Sequence, residues 1–194
     1  MKSPHRAIVR MLVSVADWGT WRAGLLLATS RKDRGVLVSV IANRAAESDA
    51  FARVNEALAL LERFDARRLA LLRRRVSRVL VTENNGSAYV PTLNACLLSL
   101  RLVQEHDAAE TAVTLVHEMT HARLWRLGCR YTPAEREHVE RICVAAEIRF
   151  ALRLPRGAEL TAKSRRLLES RWWESKSSSA IRRADSGMVS KFGA

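Results

Sequence analysis

Apolar positions along this chain change period several times, and each change marks an element. Val36-Leu37-Val38-Ser39-Val40-Ile41 is a short run rich in β-branched residues and predicts a strand. From Ser48 the spacing lengthens. Phe51, Val54, Leu58, Leu61 and Phe64 recur every three or four residues, which predicts a helix, and a second helical run carries Leu69, Leu72 and Val76. Val79-Leu80-Val81-Thr82 reads as a strand again. Asn84-Asn85-Gly86-Ser87 has the chemistry of a hairpin turn leading back through Ala88 to Pro91. Proline cannot donate to a ladder, so that returning strand belongs at an edge or an end. Asn94 to Val103 alternates, with Cys96, Leu98, Leu100 and Leu102 on one face. Ala7 to Val15 is a further apolar strand candidate, whereas Trp18, Gly19, Trp21 and Gly24 carry no clear period.

The helical period then returns with punctuation. Asp107-Ala108-Ala109-Glu110 has capping-box spacing, and Gly128 stands where a left-handed C-cap is expected. Between them Val113, Val116, Leu124 and Leu127 border a face that carries His117 and His121. A second capping box, Thr132-Pro133-Ala134-Glu135, opens a helix that runs to about Leu152 and stops before Pro155 and Gly157. Its apolar stripe is Val139, Ile142, Cys143, Ala146 and Phe150.

Chemistry enters on these two helices. His117-Glu118-Met119-Thr120-His121 reads H-E-x-x-H. Residues four apart on a helix share a face, so the two imidazoles can grip one tetrahedral zinc ion, and Glu118 can take a proton from a water on it. A third protein ligand is then required. On the following helix Glu140 and Glu147 lie two turns apart at one border of the apolar stripe, where a carboxylate needs a partner. Either can reach the metal, and the other can hold the free N–H of a ligand histidine. The bland alternative for each is a solvated carboxylate paired with Arg136 or Arg141.

H-E-x-x-H on one helix with a glutamate on the next resembles the zincin metallopeptidases of the glutamate-ligand type. Glu140 to Glu147, followed by Leu152 and Pro155, is also similar to the E-A-N-x-F-A-A-E-L-L-x-P pattern of ImmA/IrrE-like peptidases. It departs at the asparagine and the first aromatic, where Ile142 or Cys143 and Val144 stand. The resemblance covers about residues 107 to 155. It implies an α+β, zincin-like fold: a small, mostly antiparallel sheet packed on the H-E-x-x-H helix and the ligand-bearing helix. It implies Zn2+ held by His117, His121 and Glu140, with Glu147 as the alternative third ligand or a supporting carboxylate. Glu118 would be the general base in hydrolysis of a peptide or protein substrate. Tyr89, Tyr131 and His106 are the side chains available to assist a developing oxyanion, and spacing does not choose among them. Residues near Tyr89 to Ala95 are candidates for a sheet edge that holds a substrate strand.

Composition adds four constraints. The chain of 194 residues suits one domain, taken as 1–174, with a Ser-, Arg- and Lys-rich segment 175–194 expected to be a disordered tail. Trp172 and Trp173 are expected to dock the end of the last helix. Cys96, Cys129 and Cys143 form no C-x-x-C pair, which argues against a disulfide framework or a cysteine-zinc module. Cys96 and Cys143 read as small core residues. The most apolar stretch, Ala7 to Ala28, is broken by Arg10, Asp17 and Arg22, making a poor membrane span and a poor signal peptide; the expectation is a soluble, cytoplasmic protein. A net charge of +13, mostly from arginine, attracts polyanions. Arg63, Arg67, Arg68, Arg73, Arg74, Arg75 and Arg78 cluster in one span. The rival reading is therefore a basic nucleic-acid-binding helical protein, or a protease recruited to DNA-bound proteins.

Overall fold

Strands whose residues are almost all buried take the middle of the sheet, and shorter or more polar ones take its edges. The computed structural model of the chain describes residues 24–84 and 86–171. The chain divides into two compact units, one of Met1–Leu27 with Trp173–Ala194 and one of Ala28–Trp172. Residues 24–27, the described part of the first unit, form one helical turn. The strand expected at Ala7 to Val15, the residues around Trp18 and Trp21, Asn85 of the expected turn, the two tryptophans and the tail from Ser175 lie outside the described residues.

The second unit is α+β. Its strands are β1 (Thr29–Asp33), β2 (Val36–Ile41), β3 (Arg78–Thr82), β4 (Ala88–Val90) and β5 (Ala95–Ser99), joined in the order β1-β2-β3-β5-β4. A tight turn at Arg34 and Gly35, both with positive φ, links β1 to β2 in antiparallel register. The β2–β3 and β3–β5 pairings are parallel, and β4–β5 is antiparallel. The sheet is thus mixed, not mostly antiparallel. The expected hairpin from β3 into β4 does not form either. All five positions of β5 are buried, and a strand apolar on both faces belongs inside a sheet. It therefore takes the place beside β3 and leaves β4 at the edge, the position its following Pro91 permits. The hairpin falls instead between β4 and β5, through a turn at Pro91–Asn94. Leu100 and Leu102, expected to continue the strand, belong to the short helix α2 (Leu100–Glu105).

Helix α1 (Arg44–Arg75) crosses from β2 to β3. It begins at Arg44, before the expected Ser48, because the Asn43 side chain accepts the Ala46 N–H and caps it there. The two helical runs read from the sequence are joined across one break at Asp65, whose backbone is non-helical (φ −156°, ψ 63°). Asp65 restarts the helix by accepting the Arg68 N–H, and it pairs with the Arg68 and Arg153 guanidiniums. Arg68 also donates to the carbonyl of Ala146, which ties this break to the helix that carries Glu140. Val54, Leu58, Leu61, Leu69 and Leu72 line the buried face of α1.

Helices α3 (Ala108–Arg126) and α4 (Arg136–Ala151) pack on each other, and α3 also packs on α1 and β5. Asp107 caps α3 through the Glu110 N–H. Glu110 does not complete the reciprocal bond, because its carboxylate is taken by His106 and Lys163. Gly128 ends α3 in the left-handed conformation (φ 88°), with the Cys129 N–H bonded to Leu124 O and the Gly128 N–H to Trp125 O. Leu127, read as part of the apolar face, is 64% exposed beside this cap. The Thr132 capping box forms a turn, and α4 itself starts at Arg136. The last helix, whose start the sequence analysis did not mark, is α5 (Gly157–Glu169), which packs on α4. Among the described residues no helix is long and apolar enough to cross a membrane.

At Gly157 the chain turns back so closely that an added Cβ would meet the Ala151 carbonyl oxygen at 2.6 Å. Gly157→Ala is expected to push α5 off α4 and cost about 1–3 kcal/mol, read as a lower urea midpoint.

Candidate metal centre

The site is assembled from facing sides of α3 and α4. His117 and His121 stand one turn apart with ring centroids 4.8 Å apart and Nε2 atoms 3.0 Å apart. The carboxylate of Glu140 reaches across from α4, with Oε2 at 3.2 Å from His117 Nε2 and Oε1 at 3.7 Å from His121 Nε2. A tetrahedral zinc with bonds of about 2.0–2.1 Å holds neighbouring donors about 3.3–3.4 Å apart. The nitrogen–nitrogen spacing and the spacing of each histidine to one of the two Glu140 oxygens bracket that value. Glu140 is 1% exposed, and its Oε2 has no hydrogen-bond partner. A buried carboxylate oxygen left unbonded opposite two imidazole nitrogens is costly alone and is suited to a cation. On this ground the residues fit a divalent ion with nitrogen and oxygen ligands.

The two acids left open by sequence occupy opposite sides of His117. Glu140 faces Nε2, while Glu147 Oε1 lies 2.6 Å from Nδ1. An imidazole that gives its Nδ1–H to a carboxylate keeps its Nε2 lone pair turned toward the metal position. The solvated pairing with Arg136 or Arg141 is not adopted by either acid. Arg141 pairs with Glu137, and both Glu140 and Glu147 are buried. They were read as lying at the border of the apolar stripe, and tight packing of α4 on α3 encloses them.

Glu118 follows His117 on α3 and feels the charges of His117, Glu140 and Glu147. It is buried, its Oε2 has no hydrogen-bond partner, and the backbone N–H of Tyr89 in β4 lies against its carboxylate. Burial raises its pKa to about 8, helped by the charges of Glu140 and Glu147 and opposed by His117 and the Tyr89 N–H. Burial also acts on the histidines. His121 is lowered to about 3 by burial and by the charge of His117. His117 is itself disfavoured by burial as a cation, yet the carboxylates of Glu140 and Glu147 outweigh this and lift its pKa well above the ordinary range. Burial would raise Glu140, but His117, His121 and the Tyr131 hydroxyl hold it below the usual carboxylate value. In the metal-free chain a proton on His117 therefore supplies the positive charge these carboxylates require.

Of the three side chains considered for an oxyanion role, one is at the centre. The Tyr131 hydroxyl donates to Glu140 Oε1, and the ring stands edge-on to His121 at 5.5 Å. The Tyr89 hydroxyl bonds Asn94 instead, and His106 pairs with Glu110. Cys143, read as a core residue, was missed. Its sulfur and the ring nitrogens of His117 and His121 form a group within 4.8 Å. The signal available was its place one turn after Glu140. The arginine cluster is partly consumed by internal pairing: Arg68 serves Asp65, and Arg73 pairs with Glu62. Arg63, Arg67, Arg74 and Arg75 remain exposed on α1. No protein-family model, curated protein or solved structure matches the chain.

Two outcomes follow from this geometry. Glu147→Gln keeps the shape but weakens the hold on His117, so zinc affinity measured by competition with a chelating dye should fall about 10–100-fold. In the metal-free protein Glu118 stays protonated up to about pH 8, whereas the unfolded side chain ionises near its ordinary 4.5. Stability therefore falls as pH rises between those values and levels off above them. Glu118→Gln should remove that decline, so its thermal midpoint gains on the metal-free parent as pH rises through this window.

Proposed function

We propose that this chain is a zinc-dependent metallopeptidase of the zincin type, with Glu118 as its general base. The observation that carries the reading is the convergence of His117 Nε2, His121 Nε2 and the Glu140 carboxylate at tetrahedral spacing, with a buried, unsatisfied Glu118 one residue along the same helix. Two nitrogens and one carboxylate are a donor set zinc accepts, and three protein ligands are the usual number for a hydrolytic centre. The similarity of Glu140–Glu147 to the ImmA/IrrE-like pattern supports the same third ligand.

A bound zinc ion would supply Lewis acidity, lowering the pKa of water and polarising a carbonyl. The chain's own residues do the rest. Glu147 holds His117 in the tautomer that presents Nε2, and Tyr131 holds Glu140 through its hydroxyl. Glu118, desolvated and only lightly hydrogen-bonded, accepts the proton of the attacking water and then delivers it to the departing amine. Burial raises its pKa in the metal-free chain, and a cation bound beside it would lower that value and free the carboxylate to accept a proton. Peptide is the substrate class best supported. β4 is an edge strand whose Tyr89 N–H touches Glu118, so a chain added along that edge would lie beside the base.

The test uses a quenched-fluorescence peptide library with the purified full chain. Chelation should abolish cleavage and added zinc should restore it. Glu118→Gln should keep one zinc per chain and lose turnover by about 10²–10⁴-fold. Cleavage by that variant at the parent rate would overturn the assignment.

A further inference from the structure

Cys143 is fully buried and lies one helical turn beyond Glu140 on α4, so the two side chains share a face. Its Sγ, a ring nitrogen of His117 and a ring nitrogen of His121 lie within 4.8 Å of one another. Zinc holding sulfur at about 2.3 Å and nitrogen at about 2.0 Å spaces them about 3.6 Å apart, so closure requires movement on the order of 1 Å. An independent feature points the same way. Glu140 Oε2, 1% exposed and 3.2 Å from His117 Nε2, makes no hydrogen bond of its own, so in the metal-free chain the His117 proton alone balances the charge at the place these side chains face.

A buried cysteine is ordinarily a small hydrophobe, and one side of Cys143 does pack with Leu124 and Val139. Its surroundings are nevertheless unusual for that role. Three buried carboxylates, Glu118, Glu140 and Glu147, act on it electrostatically. A thiol that coordinates a cation there is deprotonated outright. The charges also favour sulfur. A divalent ion with two neutral imidazoles and the Glu140 carboxylate keeps one positive charge, and a thiolate brings that first shell to zero. A neutral cluster is the less costly one to bury.

We propose that Cys143 is a fourth protein donor to the ion, so that the resting site is closed by a thiolate over the position water needs. The inference rests on the metal-centre reading above, but it is separable from hydrolysis. On binding, the thiol loses its proton to solvent and no redox change occurs. A sulfur donor also biases the site toward thiophilic ions, zinc and cadmium over magnesium and manganese.

Cobalt(II) substitution of the full chain tests this without reference to activity. Expected is a near-ultraviolet thiolate-to-cobalt charge-transfer band in the parent. The band should be lost in Cys143→Ser and Cys143→Ala while the visible ligand-field bands of bound cobalt persist, with cobalt affinity lowered about tenfold or more. Cys129→Ser, which removes a partly exposed thiol, should keep the band. Should the Cys143 variants not fold, the parent spectrum decides alone. Cobalt bound through His121 with no charge-transfer band overturns the proposal and leaves the peptidase reading intact. No cobalt or zinc uptake at all overturns both.

Discussion

Three buried carboxylates, one buried imidazole and one half-buried imidazole at one meeting of two helices form the constraint on which the rest of this structure depends. Such a group cannot be enclosed without a balancing positive charge. In the metal-free chain the balance is a proton on His117, shared between Glu140 and Glu147. The same geometry, with the proton gone, presents two nitrogen lone pairs and a carboxylate to one point. Helix–helix packing and the polar centre are therefore one problem. The apolar contacts of α3 and α4 enclose the acids, and the acids require a cation.

Much of this was legible in the chain. The pairing of His117 with His121 needs only helical period, and Asp107 and Gly128 mark that helix at both ends. Glu140 and Glu147 stood out as carboxylates beside an apolar stripe. Their division between the two nitrogens of His117 was not legible, because it depends on how α4 is rotated against α3. The same holds for Cys143: period places it in the core, and only the rotation places its sulfur beside the imidazoles. Tyr131 could not be preferred to Tyr89 or His106 for a like reason, since a loop conformation brings it to Glu140.

The sheet illustrates a different failure. Asn84 to Ser87 carries strong turn chemistry, and read locally it joins β3 to β4. The burial demand of β5 is a property of the whole sheet, and it overrides the local signal by inserting β5 between them. The alternation seen from Asn94 to Val103 concealed a change from strand to helix at Leu100, where apolar residues serve either period. The start of helix α5 was hidden because Pro155 and Gly157 read as a stop, although they also permit an immediate restart.

The break at Asp65 has a consequence for the dimensions of the molecule. Unbroken, the 32 residues of α1 would extend about 48 Å, past the roughly 38 Å breadth of a compact unit this size. Bending at one aspartate keeps both segments against the body. It also separates their rotational phases, so a residue inserted upstream of the bend would turn only the first segment. The downstream segment, pinned through Arg68 to Ala146, would keep its alignment with α4.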